Sequence, residues 1–131
     1  MTAMTDNRLA PEKEGRLVEM AVKTGESIFS NALVMVEAVA VGVLPAAASA
    51  GARFAGIAYE DNKDGATVIR VQRAGSFPMN GAGFAVADLL KPVYASDDQT
   101  VSTTQATNEL EVGVITEILS ATEVMVDLKR Y

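Results

Sequence analysis

Apolar and polar residues alternate along most of this chain in short runs, and almost every run ends at a turn signal. "RLVEMAV" (16–22) sets Val18, Met20 and Val22 on one face of an extended strand. "KTGES" (23–27) is a turn, and "NALVMVE" (31–37) and "AVAVGVLP" (38–45) read as two further strands, with Gly42 placed for a bulge. "AAASAGA" (46–52) carries no pattern and reads as a loop or a single helical turn. "RFAGIAYE" (53–60) is a strand, "DNKDG" (61–65) a turn, and "ATVIRVQR" (66–73) a strand with Ile69 and Val71 on one face and Arg70 and Gln72 on the other. "AGSFPMNGAG" (74–83) is a short strand ended by Pro78 and glycines, and "FAVADLL" (84–90) fits either a loop or one helical turn.

In the last third, "PVYAS" and "TVST" flank the polar turn Ser96, Asp97, Asp98. "LEVGVITEIL" (110–119) and "EVMVDL" (123–128) then form a terminal hairpin. Straight alternation puts Val112, Val114 and Ile118 on one face of the first of these strands and Ile115 and Leu119 on the other. In the second, Val124, Val126 and Leu128 face inward and Glu123 and Asp127 face solvent. The expected core is therefore Val18, Met20, Phe54, Ile57, Ile69, Val71, Val114, Ile118, Val124, Val126 and Leu128. About nine or ten short strands with frequent turns and no long amphipathic helix predict an all-β fold, a β-sandwich or a jelly-roll-like barrel. No internal repeat of fixed period is visible. Residues 1–15 are polar, hold Pro11 and Gly15, and read as an extended N-terminal arm ahead of a single all-β domain, 16–131.

Composition narrows the function classes. A chain of 131 residues suits one domain, and 49% hydrophobic residues give it a core. The net charge of −6 and the absence of any basic run argue against nucleic acid as a partner. "ALVMVEAVAVGVLPAAASAGA" is long and apolar, but Glu37, Pro45 and its β-branched residues fit two buried strands, so no membrane partner is expected. The first fifteen residues have no apolar stretch or cleavage pattern of a signal peptide. Without cysteine there is no disulfide or thiolate chemistry, which favours a reducing compartment.

Candidate chemistry is sparse. With no histidine and no cysteine, Ser-His-Asp, Cys-His and Cys/His zinc schemes are excluded. "GAGFAV" (81–86) has Val86 where a dinucleotide fingerprint needs its third glycine, and it reads as a loop with positive φ at Gly81 and Gly83. "EDNKDG" (60–65) resembles half of a calcium loop, but Val71 stands where the bidentate glutamate belongs. Acidic residues otherwise alternate with apolar ones along strands, as a wet face requires, so no catalytic residue, metal or cofactor is expected and the chain is not read as an enzyme. The competing readings are a small-molecule-binding β-barrel, with a cavity lined by Phe54, Ile69 and Val114, and a carboxylate enzyme acting on sugars.

The segments also follow an order that resembles a known family. The "KTG" turn at 23–25, "FAGIA" (54–58) with its acidic turn, "VQRAG" (71–75), "KPVYASDDQTV" (91–101), "VGVITE" (112–117) and "TEVMVD" (122–127) together resemble small tailed-phage capsid cement, or head decoration, proteins. The resemblance covers about residues 20 to 128 and leaves the first fifteen unmatched. It implies a non-enzymatic all-β protein that docks on the outside of the shell of major capsid protein. That protein would stabilise the virion head after assembly in the host cytoplasm. On this reading "KPVYASDDQTV" is a structural corner. The expected contacts to the shell or to a neighbouring subunit are Arg8, Leu9 and Pro11 in the arm, and Arg16 at its base. The two apolar faces expected for 110–119 add self-association, a homodimer before a trimer.

Overall fold

The computed structural model describes Ala3 and residues 16–39, 41–62 and 65–129. Among the described residues ten strands lie in the order β1 Leu17–Ala21, β2 Leu33–Val36, β3 Val43–Pro45, β4 Arg53–Ala58, β5 Val68–Gln72, β6 Ser76–Asn80, β7 Pro92–Ala95, β8 Val101–Ser102, β9 Leu110–Ser120 and β10 Glu123–Leu128. A 3-10 turn, Val86–Asp88, lies between β6 and β7. They form two antiparallel sheets of five strands, in the orders β1-β5-β4-β2-β3 and β6-β10-β9-β7-β8. The expected sandwich is present. Its strands segregate by half of the chain, so the interleaved order of a jelly roll is absent.

Each sheet curls until its two edges touch. Val22, just past β1, forms a parallel bridge with Val43 of β3, and Asn80 at the end of β6 does the same with Thr100 ahead of β8. Curling gives the first sheet an apolar interior of its own, with Val34, Val43, Ala55, Ile69 and Val71 buried together and plugged by Ile28 from the β1–β2 connection. Its opposite face, carrying Leu33, Phe54 and Ile57, is buried with the interior of the second sheet: Val93, Val112, Ile115, Val124 and Val126. Within the first sheet β2 and β4 are thus buried on both faces, which is why they read as nearly continuous apolar runs.

The two sheets repeat one another. Their strand orders coincide when β6–β10 are laid over β1–β5. Val18 lies opposite Val71 and Met20 opposite Ile69, and in the second sheet Phe77 lies opposite Val126 and Met79 opposite Val124. Leu33 and Val34 pair with Ile57 and Gly56, a bulge follows, and Met35 pairs with Phe54. Pro92 and Val93 pair with Val114 and Gly113, a bulge follows at the same step, and Tyr94 pairs with Glu111. Hydrogen bonds outside the ladders match as well. The Arg73 N–H donates to the Arg16 carbonyl at 2.7 Å, and the Leu128 N–H to that of Gly75 at 3.0 Å. The Val22 N–H donates to Thr67 at 2.8 Å, and the Gly81 N–H to Thr122 at 2.9 Å. One five-stranded unit is therefore built twice, over residues 16–73 and 75–129. No fixed period betrays it because the connections differ in length. The spacing is 59 residues from Leu17 to Ser76 but 55 from Gln72 to Asp127.

Both bulges sit beside a glycine that the neighbouring strand crowds. A Cβ on Gly113 would stand 2.0 Å from the Asp127 carbonyl oxygen, and one on Gly56 2.3 Å from that of Gln72. The bulges also reset the face of the residues that follow. Val112 and Ile115 are both fully buried, and Ile118 packs on the same core. Val114, expected inside, is half-buried, as are Val18 and Met20 near an edge of the first sheet. The second apolar face expected on β9 is therefore absent, and with it the stated reason for self-association there. The strand expected over 38–45 shortens to Val43–Pro45, leaving Val39 and Val41 exposed. Gly42, at φ +135°, turns the chain there, with no room for a side chain against the backbone of Val22 and Lys23.

Candidate interaction surface

The two units pack head to tail. Leu33, Phe54 and Ile57 of the first are buried against the second, whereas their counterparts Pro92, Glu111 and Val114 are exposed or half-exposed. Two backbone hydrogen bonds cross the junction, from the Leu33 N–H to the Asp98 carbonyl at 2.8 Å and from the Ser49 N–H to that of Asn108 at 3.1 Å. Beside the junction lies an open cleft of about 590 Å³ whose apolar wall is Phe29, Leu33, Ile57, Phe77, Pro78 and Met79. Asn31, Asn80, Asp98 and Gln99 supply its polar side. Phe29 is 68% exposed at its mouth.

The connection between β6 and β7 carries the other feature. Phe84 is buried and anchors it, its N–H donating to the Ala121 carbonyl at 3.0 Å. Gly81 is needed for close approach, since a Cβ there would meet the Phe84 ring and the Val101 carbonyl oxygen at 2.5 Å; only Gly83 of the expected pair has positive φ. Asp88 closes the 3-10 turn. One carboxylate oxygen accepts from the Ala85 N–H at 3.0 Å and the other from Lys91 Nζ at 3.2 Å. Those bonds, the Ala85 N–H first and Lys91 second, hold its carboxyl below the usual range. The exposed residues of the turn are apolar: Val86 is 74% exposed, Leu89 40% and Leu90 73%. Leu90 sits at φ 65°, a region that costs a branched side chain energy, and it is fixed there by donating its N–H to Ile115 at 2.8 Å.

Of the contact residues expected from the sequence, Arg8, Leu9 and Pro11 lie outside the described residues. Arg16 is exposed immediately before β1, and its carbonyl is held by Arg73. The segment 91–101 is the expected corner. β7 and β8 pair antiparallel, and Asp97 accepts from the Gln99 and Thr100 N–H groups at 2.9 and 2.8 Å. The acidic turn after β4 is likewise built into the fold. Glu60 pairs with Arg70 at 2.6 Å, and the Arg70 guanidinium also lies over the Tyr59 ring. Asn62 accepts from the Ile28 N–H at 2.8 Å and donates to the Glu26 carbonyl at 2.7 Å, which pins the Ile28 plug. Arg70 holds the Glu60 carboxyl below its ordinary range, and Glu37 holds the Lys23 ammonium above its own. All these shifts favour the charged form. Among the described residues no cluster of acidic side chains is placed to hold a metal ion, and no helix is long and apolar enough to cross a membrane.

Sequence reasoning missed Phe29, Val86, Leu89 and Leu90 as surface features. The one available signal is that "FAVADLL" holds apolar residues without the period of a strand or a helix. No family model matches the chain, and neither does any curated protein or solved structure.

Proposed function

We propose that this chain is a structural cement protein of a tailed-phage head, bound to the outer surface of the shell of major capsid protein and stabilising it. The reading is carried by one observation: the family-like segments occur in family order, from "KTG" at 23–25 to "TEVMVD" at 122–127. The geometry is compatible with it. "KPVYASDDQTV" is spent on a hairpin, and Glu60 and Asp88 on ion pairs that close turns. Two sheets sharing one core make a rigid body, and many copies of a modest contact suffice to reinforce a shell. A standard interface buries about 1,200–2,000 Å², and repetition multiplies its effect. The polar N-terminal arm, with Leu9 as apolar anchor and Arg8 and Arg16 beside it, is part of the proposed contact.

Co-sedimentation with purified empty shells tests the proposal. The chain is expected to pellet with shells at a saturating ratio and to raise their melting temperature. A chain starting at Gly15 is expected to keep its own melting temperature and bind more weakly. Failure of the full chain to sediment with any tailed-phage shell would remove the cement function. Full affinity of the shortened chain would move the contact from the arm to the sheets.

A further inference from the structure

The repeated unit supplies its own control for the apolar turn at 84–91. Its counterpart in the first unit is the stretch before β2. Asn31 has φ 68° and donates its N–H to Ala58 at 2.8 Å, as Leu90 has φ 65° and donates to Ile115 at 2.8 Å. The Ala32 N–H donates to Phe29, as the Lys91 N–H donates to Asp88, each at 3.1 Å. The backbone matches over 30–32 and 89–91, and there the chemistry is opposite. Ser30 and Asn31 stand where the second unit has Leu89 and Leu90. The conformation therefore does not demand apolar side chains, and asparagine is the residue that suits positive φ. Two exposed leucines at those positions, one of them strained, with exposed Val86 ahead of them, are explained by a contact that covers them.

The chain also carries a receptor of matching chemistry. The cleft beside the sheet junction is open, has an apolar wall from Phe29 to Met79, and bears Asp98 on its polar side, with the exposed Asp97 next to it. The apolar turn bears a cation at its base, Lys91, whose side chain is 54% exposed. With a net charge of −6, copies of this chain repel one another at large, so a stable contact between them has to bring unlike charges together. Although Asp88 holds Lys91 at 3.2 Å within the turn, the exposed ammonium can swing to Asp98 of the cleft and meet that condition.

We infer that the 84–91 turn is a self-association element, with Val86, Leu89 and Leu90 seated in the Phe29 cleft of a second copy of this chain and Lys91 facing Asp98. Reciprocal insertion closes a dimer, and one-way insertion about an axis closes a ring. The contact is independent of shell binding.

Sedimentation velocity of the full chain over micromolar concentrations tests it. A closed oligomer is expected, and a combined Val86→Ser, Leu89→Ser, Leu90→Asn variant is expected to weaken it about a hundredfold or more. Leu89→Ser and Leu90→Asn install what the first unit already holds in the same backbone, and Val86 is exposed, so melting followed by circular dichroism should show an intact fold. Phe29→Asp, which charges the mouth of the cleft, should weaken association independently. A wild-type chain that stays monomeric overturns the inference. So does a folded triple variant that keeps the wild-type mass.

Discussion

Gly113→Ala isolates how closely β9 and β10 approach. Gly113 does not have positive φ, so alanine brings no backbone strain, only a methyl group. That methyl carbon would stand 2.0 Å from the Asp127 carbonyl oxygen, 2.9 Å from its carbonyl carbon and 3.1 Å from the Leu128 Cα. All three are backbone atoms of the partner strand and cannot swing aside. β10 would have to move by roughly an ångström, at about 1–3 kcal/mol for overpacking. The movement would loosen the bonds from the Leu128 N–H to Gly75 and from the Lys129 N–H to Val112, at about 1 kcal/mol each. The sum is about 3–5 kcal/mol, or roughly 10–20 °C in melting temperature for a chain of this size. Thermal and urea melts by far-ultraviolet circular dichroism measure it. Gly83→Ala is the comparison, because it meets no atom within 4 Å and bears only the cost of φ +70°, about 1–2 kcal/mol. If Gly113→Ala melts no lower than Gly83→Ala, the strand approach is not a constraint and the reasoning fails.

Other perturbations give distinct signatures. Ile69→Ala empties part of the first sheet's interior and should cost about 2–5 kcal/mol; an unchanged melting temperature would remove Ile69 from that core. At a dilution where the chain is monomeric, Leu90→Gly should raise the melting temperature, by about 1 kcal/mol of relieved strain, because little apolar contact is lost at a residue largely exposed in the single chain; a fall there would mean that Leu90 is packed within the chain. Glu60 and Asp88 have carboxyls held below their ordinary 4.5 and 3.8, so the stability they contribute is present above those values and lost as pH falls through the folded ones. Melting temperature should therefore drop as pH falls below about 5, and Glu60→Gln should flatten that drop; an unaltered acid limb would show that the pair with Arg70 contributes nothing.

Strands announced themselves where one face is wet. β5 and β10 alternate cleanly, with Ile69 and Val71, and Val124, Val126 and Leu128, all inside. The hairpin at 91–101 followed from its turn chemistry, since Asp97 caps its own turn. Two kinds of information were hidden. The bulge beside Gly113 and the register shifts between β9 and β10 break the alternation of β9, so Ile115 was assigned to the wrong face by counting in twos. The duplication was masked because equivalent core positions differ in size, Ala55 against Val112 and Ala58 against Ile115, and because the connections differ in length. The interaction surface was the least legible. An exposed leucine and a core leucine look alike until the backbone shows Leu90 held outward.

Matched registers create a hazard while the chain is still folding. β5 and β10 each receive their outer partner in the same alignment, so during collapse β6 can be laid on β5, or β1 on β10, with the strands in register. Such an exchange would pass between neighbouring nascent chains as readily as within one, as in other tandem repeats. Side chains must then reject the wrong partner. Glu19 lies opposite Arg70 in the proper first pair, and Pro78 lies opposite Met125 in the second. Swapping them sets the charge of Glu19 against a thioether and leaves Arg70 facing a ring with no N–H to give. Those two residues act as sorting signals, and a chain carrying Glu19→Pro with Pro78→Glu should refold through trapped, exchanged species.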